Sequence, residues 1–468
     1  MKHFTTLLVA LLLGCLAASA RQQSQRTAFP GGKYQIYRVA LTDKRGCKAS
    51  LKHPEQFLSQ RALSRRSRQH LAVDSTDLPL SRTYLKKLAQ QGFSVVGGSR
   101  WNNTVLVRDT AATAAQRLAA LPFVTGVTKV FAGADSVNIT PADTVRPDTA
   151  SAHYHGASLY GQGYRQVSLS GGEHLHQAGF RGDGMLIAIV DGGFMNADRI
   201  SYLKGVNIVG ARDCVYPYTA DVFRELDHGT MVLSTMAACS DSLFVGTAPH
   251  ASYLLLRSEY GPMECLMEED FWAQAVEYAD SVGADIVNSS LGYTAFDDKA
   301  SSHLYREQDG RTALISRTAS MMAAKGMVLT TSAGNEGART WKRIGFPADA
   351  RDVLTVGATS RDSLTATFSS VGPSIDGRVK PDISNMGVAT TVINGEGIVT
   401  RASGTSFSTP ITCGLVACLW QAFPHKTALE IMDLVRRSAN RADCPDNIYG
   451  YGIPDFQKAY QLGMKNME

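Results

Sequence analysis

Four short strings in this 468-residue chain hold side chains suited to covalent chemistry. The sharpest is Gly404-Thr405-Ser406-Phe407-Ser408-Thr409-Pro410. Its serine opens a helical pattern, its glycine permits close backbone approach, and its proline falls in the first turn, where a missing N–H costs nothing. Free amides and the helix dipole at such a start favour developing negative charge. A cap needs one serine or threonine, not this whole string. A second string, Ile187 to Val190, runs apolar into Asp191-Gly192-Gly193 and so puts a carboxylate at the C-terminal edge of a strand, where open α/β sheets place their sites. Alone, turn geometry explains Asp-Gly equally well. The third, Asp227-His228-Gly229-Thr230, sets an imidazole at a helix start, where capping is the plain alternative. In the fourth, Ser332-Ala333-Gly334-Asn335 follows a strand and presents an amide at the same sheet edge. A hydroxyl, an imidazole and a carboxylate are the groups from which nucleophilic catalysis is built.

Taken in chain order, these strings resemble the DxG, HGT, AGN and GTSxxxP motifs of the subtilase family. The resemblance covers nearly all of residues 171–468. It includes Ser290-Leu291-Gly292, similar to the family's substrate-pairing strand, and Lys380-Pro381-Asp382 upstream of the serine. It implies a serine endopeptidase working through an acyl-enzyme. Ser406 would be the nucleophile, His228 the general base and then acid, and Asp191 the group that orients His228. Asn335 would hold the oxyanion together with the Ser406 N–H. Ser290, Leu291, Gly292 and Gly334 would wall the first substrate pocket, with Gly345 at its base leaving room for a large apolar side chain. Glu336 at the rim argues instead for a basic one. Phe407-Ser408, Ile411 and Ser384-Asn385-Met386-Gly387 depart from the family's usual residues, which weakens any transfer of specificity. Alternatives on the same scaffold are a transpeptidase or macrocyclase, with Tyr293–Arg311 as its water-excluding element, and a non-catalytic binding protein. No cofactor is required. Structural calcium is left unassigned, because neither Asp297, Asp298 and Asp309 nor Glu264, Glu268 and Glu269 has a calcium-loop spacing; both groups are expected to be solvated loop carboxylates.

These groups need a scaffold, and the chain has the material for one. It is 44% hydrophobic and 19% charged with a formal net charge of +5, a balance that does not call for nucleic acid or an anionic membrane as partner. A basic start at Lys2 and His3, an apolar run over residues 7–13 and the small residues Ala18-Ser19-Ala20 read as a signal peptide spanning 1–20, hence a secreted protein. Leu12-Leu13-Gly14-Cys15 offers the alternative of a lipid anchor on Cys15. Residues 21–133 read as a small α+β, ferredoxin-like unit, and by resemblance as an inhibitory propeptide. Its basic cluster Arg61, Arg65, Arg66 and Arg68 is expected on the wet face of a helix. Residues 134–170 read as an exposed linker open to nicking. Residues 171–468 alternate apolar strands with helical patterns, which predicts an α/β domain with a mostly parallel sheet flanked by helices. The partners expected are protein or peptide substrates and the chain's own propeptide, on a monomer. None of the eight cysteines sits in a zinc-site spacing. Cys413 and Cys418 share one helix about 7.5 Å apart along its axis and on different faces, so they are expected to be buried rather than paired.

Overall fold

The computed structural model describes residues 24–27, 33–133, 136–139, 159–216, 221–240 and 243–465. The expected signal peptide, Cys15 and most of the expected linker lie outside the described residues.

Strand β1 (Ser24–Thr27) comes first, followed by the N-terminal unit, built from β2 (Tyr34–Leu41), α1 (Gln60–Arg68), α2 (Arg82–Gln90), β3 (Ser94–Ser99), β4 (Thr104–Asp109), α3 (Ala114–Ala119) and β5 (Val124–Gly133). Its four strands form an antiparallel sheet in the order β3-β4-β2-β5. Side chains on a strand alternate between faces, and the two faces here serve different cores. Tyr37, Val39, Val105 and Val107 pack with Leu88 and Leu118 of the unit's own helices. Tyr34, Ile36, Leu106 and Phe131 point the other way, into the core of the larger unit. Strand β6 (Ser136–Ile139) pairs antiparallel with β1, so the segments entering and leaving this unit meet.

The larger unit begins earlier than expected. The 3₁₀ turn Gly161–Gly163, α4 (Tyr164–Ser168) and α5 (Gly172–Gln177) are packed against it. Gln166 exchanges hydrogen bonds with both backbone groups of Thr391, and the Gln162 N–H donates to the Leu243 carbonyl (2.9 Å). Residues 159–170 are therefore part of the large domain, because buried Val167 and Tyr160 tie them to Val245.

Seven parallel strands follow in the spatial order β15-β14-β13-β12-β7-β11-β8. They are β7 (Leu186–Asp191), β8 (Asn207–Asp213), β11 (Ser252–Arg257), β12 (Ile286–Ser289), β13 (Val328–Ser332), β14 (Leu354–Thr359) and β15 (Ile383–Met386); between β8 and β11 in the chain, β9 (Cys239–Ser240) and β10 (Phe244–Val245) form a separate antiparallel pair. Every residue of β7 is buried: Ile187 and Ile189 face one layer, Ala188 and Val190 the other. The first layer contains α6 (His228–Ala237), α9 (Thr405–Ala422) and α10 (Ala428–Ser438). The second contains α7 (Glu268–Val282) and α8 (Leu314–Met321), and it is this layer that the N-terminal unit covers. Helix α9 is buried from Thr405 to Trp420, as an all-round apolar helix requires. Cys413 and Cys418 are buried in it as free thiols.

One expectation about charge is reversed. Arg65 and Arg66 are not on a wet face; both side chains are essentially inaccessible and pair with Asp280 of α7 (2.5 and 2.8 Å). Their partner lies more than two hundred residues away in the chain, beyond the reach of any local pattern.

Candidate active site

Parallel strands deliver their C-terminal ends to one edge, and helices α6 and α9 start there. Asp191 is the last residue of β7 and fully buried. Its Oδ1 accepts from the Gly192 N–H (2.8 Å) and lies 2.8 Å from His228 Nδ1; its Oδ2 has no hydrogen-bond partner. His228 opens α6 with its side chain 36% exposed. Burial disfavours its cation, but the Asp191 carboxylate outweighs that and raises its pKa above the ordinary 6.5. The glycines around the pair are steric requirements. A Cβ on Gly229 would come within 2.4 Å of the Gly193 carbonyl, and one on Gly193 within 2.0 Å of the Glu225 carbonyl.

Ser406 lies in the first turn of α9, and its hydroxyl donates to the Ser290 carbonyl (3.2 Å) rather than to His228. The Ser290 hydroxyl donates in turn to the Ser406 carbonyl (2.8 Å), which clamps this turn to the end of β12. Asn335 is held by its carbonyl end: Oδ1 accepts from the Thr405 N–H (2.9 Å) and the Thr405 hydroxyl (3.0 Å). That fixes the amide's orientation and leaves Nδ2 as a donor on the cleft side.

One cleft of about 570 Å³ takes in Asp191, His228, Asn335 and Ser406 together with Ser290, Leu291, Gly292, Gly334 and Gly345. Every site residue named from the sequence is thus on one surface. At Gly345 an added Cβ would first meet the Tyr293 carbonyl at 3.4 Å, so the glycine leaves the floor open.

The sequence reading missed the acidic wall. Glu259, Glu264 and Glu268 line the same cleft, with carboxylate oxygens that come within 4.8 Å of one another. Glu268 is not a solvated loop residue: it is buried in the first turn of α7 and accepts from the Tyr260 and Cys265 N–H groups (2.7 and 2.9 Å). Glu269 is buried too, between His303 (2.8 Å) and Arg38 (3.4 Å). Burial, with Glu264 and Asp191 nearby, pushes Glu259 up to about 8, while the Tyr293 hydroxyl donates to it. Glu259 sits two residues past the end of β11, so the edge rule that singles out Asp191 applies to it as well. Asp298 and Asp309 cap local turns through the Ala300, Arg311 and Thr312 N–H groups.

Comparisons with known proteins bear on the family and the fold. A family model described as the subtilase family matches residues 182–452, and one described as the peptidase S8 propeptide domain of Bacteroidota matches residues 36–147. The chain is 27% identical over 293 residues to subtilisin NAT of Bacillus subtilis subsp. natto, covering 61% of this chain and 68% of that one. It is 29% identical over 266 residues to alkaline elastase YaB of Bacillus sp. (strain YaB), covering 56% and 61%. Among solved structures, the epidermin leader peptide processing serine protease of Staphylococcus aureus superposes with a TM-score of 0.63 at 16% identity, over 92% of this chain and 98% of that one. MycP1 without its propeptide gives 0.50 at 22% identity, over 63% and 96%. With its catalytic-domain model matched over more than half its length, the chain belongs to the subtilase family and is a serine-type endopeptidase that carries an S8 propeptide.

Proposed function

We propose that the chain is exported as a zymogen and that Asp191, His228 and Ser406 hydrolyse internal peptide bonds through an acyl-enzyme. The observation that carries this reading is the pairing of His228 Nδ1 with Asp191 in the cleft that also holds Ser406 and the Asn335 amide. With Nδ1 engaged, Nε2 is the nitrogen that accepts the Ser406 proton. The hydroxyl leaves the Ser290 carbonyl for that exchange by rotating about one side-chain bond; catalytic hydrogen bonds commonly tighten only with substrate bound. As Ser406 Oγ attacks the scissile carbonyl, the oxyanion accepts from Asn335 Nδ2 and the Ser406 N–H. His228 then gives its proton to the departing amine, and water releases the acyl group by the same steps. The scheme uses only the chain's own groups, the substrate and water, and no cofactor enters it. Export rests on the apolar run and the Ala18-Ser19-Ala20 site. Among the described residues no helix is long and apolar enough to cross a membrane.

The test is chemical. A phosphonyl fluoride should inactivate the processed protein and map to Ser406, and Ser406→Ala should lower kcat by on the order of 10⁶. Labelling at another residue, or activity retained in Ser406→Ala, sinks the assignment.

A further inference from the structure

Arg257 takes no part in the proton transfers, yet it is buried beside them. It ends β11, in register with Asp191 at the end of β7 and with Asp213 at the end of β8. Residues in register on neighbouring strands point to the same face. The edge that carries the site therefore holds a row of acid, base and acid on the face that α6 covers. Asp191 is taken by His228. The Arg257 side chain is fully buried and engages other groups: Nη2 donates to Glu225 Oε2 (2.7 Å), and Nη1 lies 3.7 Å from Asp213 Oδ2. Nε donates to the Glu259 carbonyl (3.3 Å), and Cζ stands 4.8 Å from the centre of the Tyr216 ring.

Two of these partners belong to segments that line the cleft. Glu259 lines it directly. Glu225 stands just ahead of Leu226 and His228, which line it too, in the segment that enters α6. That segment is laced to the loop following Asp191. The Phe194, Asn196 and Met195 N–H groups donate to the carbonyls of Val222 (2.8 Å), Phe223 (3.0 Å) and Leu226 (3.2 Å). Between Glu225 and His228, Leu226 has a φ of +50°. A residue with a Cβ adopts this left-handed backbone at a cost and keeps it only when its surroundings enforce it. The Leu226 side chain is exposed, so packing does little to enforce it. The buried side chain next to this turn is Glu225, and Arg257 fixes Glu225.

We propose that Arg257 is a positioning residue for the general base: its contact with Glu225 holds the turn at Leu226 in the conformation that delivers His228 to Asp191 and Ser406. The inference rests on the reading of His228 as the base and goes beyond it by naming what sets the imidazole's place. A guanidinium suits the task, because its planar fork holds several directions at once and it never loses its proton. A lysine would bring the charge as a point and satisfy one partner. The reacting groups tolerate little displacement, since about 1 Å costs on the order of 10²-fold in rate.

The experiment is a substitution series expressed as the full chain, with active sites counted by a phosphonyl fluoride and folding followed by the urea midpoint. Arg257→Met should lower kcat about 10²-fold with KM within about twofold, because a displaced base slows the chemical step and leaves the peptide's contacts in place. Arg257→Lys should recover roughly tenfold of that loss. Glu225→Gln keeps the shape and one hydrogen bond but removes the charge; it should lose about fivefold in kcat and carries the test if the methionine variant does not fold. Asp213→Asn disturbs the same buried network away from the segment that enters α6, and should leave kcat within about twofold. A purely structural Arg257 would instead lower the urea midpoint in every variant with kcat per active site intact. That outcome, a loss confined to KM, or an Asp213→Asn as damaging as Glu225→Gln would each overturn the proposal. Labelling of the wild type away from Ser406 would sink the catalytic assignment and this inference with it, whereas labelling at Ser406 with kcat unaltered in the variants would sink this inference alone.

Discussion

The cleft and the interface between the N-terminal unit and α7 both gather carboxylates, yet they treat them in opposite ways. At the interface Asp280 faces three arginines, Arg65, Arg66 and Arg100, and every oxygen is engaged. Asp77 is buried, which alone would raise its pKa, but the Arg66 guanidinium and the Asp74 N–H hold it below the usual range. In the cleft, Asp191 keeps one oxygen unmatched and Glu259 is pushed up to about 8 with no cation against it. Attachment calls for charges that are satisfied and fixed. Proton transfer calls for groups left incomplete, so that a change of protonation or a substrate completes them.

Breaking the interface should cost the most. Asp280→Ala strands Arg65 and Arg66 without their shared carboxylate, and removing one partner of a buried pair costs about 3–5 kcal/mol. The variant zymogen should lose that much stability against urea, with kcat of the processed enzyme unchanged. An unaltered midpoint would mean that the ions are not what holds the N-terminal unit. In the cleft, Asn335→Ala should lower kcat by about 10²–10³ with little change in KM, because its donor acts on the oxyanion; folding should be unaffected by comparison. A rise in KM at constant kcat would make Asn335 a binding residue only. The smallest effect belongs to Glu259. Activity should rise with pH as His228 loses its proton, and since the Asp191 carboxylate raises the His228 pKa, this limb should lie above 6.5. The charge of Glu259 raises it further, so Glu259→Gln should move the limb to lower pH. The shift should be slight, because burial and the neighbouring Glu264 favour the neutral form of Glu259. A limb moving upward would reverse the sign of that coupling.

The sheet edge that gathers Asp191, His228, Asn335 and Ser406 is legible because its signals are local. Strand β7 reads from the unbroken apolar run Met185–Val190, and each of these four residues sits at an element boundary marked by glycine or proline. What escaped depends on distant partners. Arg65 and Arg66 look like a wet stripe until Asp280 is brought beside them. Glu268 and Glu269 look like loop acids until α7 is seen to start at Glu268. Strand β8 leaves no clean hydrophobic pattern because, at the sheet's edge, half of Asn207–Asp213 faces solvent, and β15 leaves none because Ile383-Ser384-Asn385-Met386 buries polar residues that such a pattern passes over. The start of the large domain was placed late because Gly161, Gly163 and Tyr164 have linker composition, although their packing is that of the domain.

Gly193 and Gly229 bear on how a saturation mutagenesis screen of this protein would look. Neither has a side chain to offer a substrate, yet any substitution drives a carbon into a backbone carbonyl next to Asp191 and His228: that of Glu225 at Gly193, and at Gly229 that of Gly193, which accepts from the Gly229 N–H. Scored by hydrolysis, both positions would be as intolerant as the proposed triad of Asp191, His228 and Ser406, and a map of lost activity would draw these five positions with no means of ranking them. Scored by abundance of the zymogen, the two sets divide: Ser406→Ala accumulates at wild-type level, whereas a bulky residue at either glycine is removed as misfolded chain.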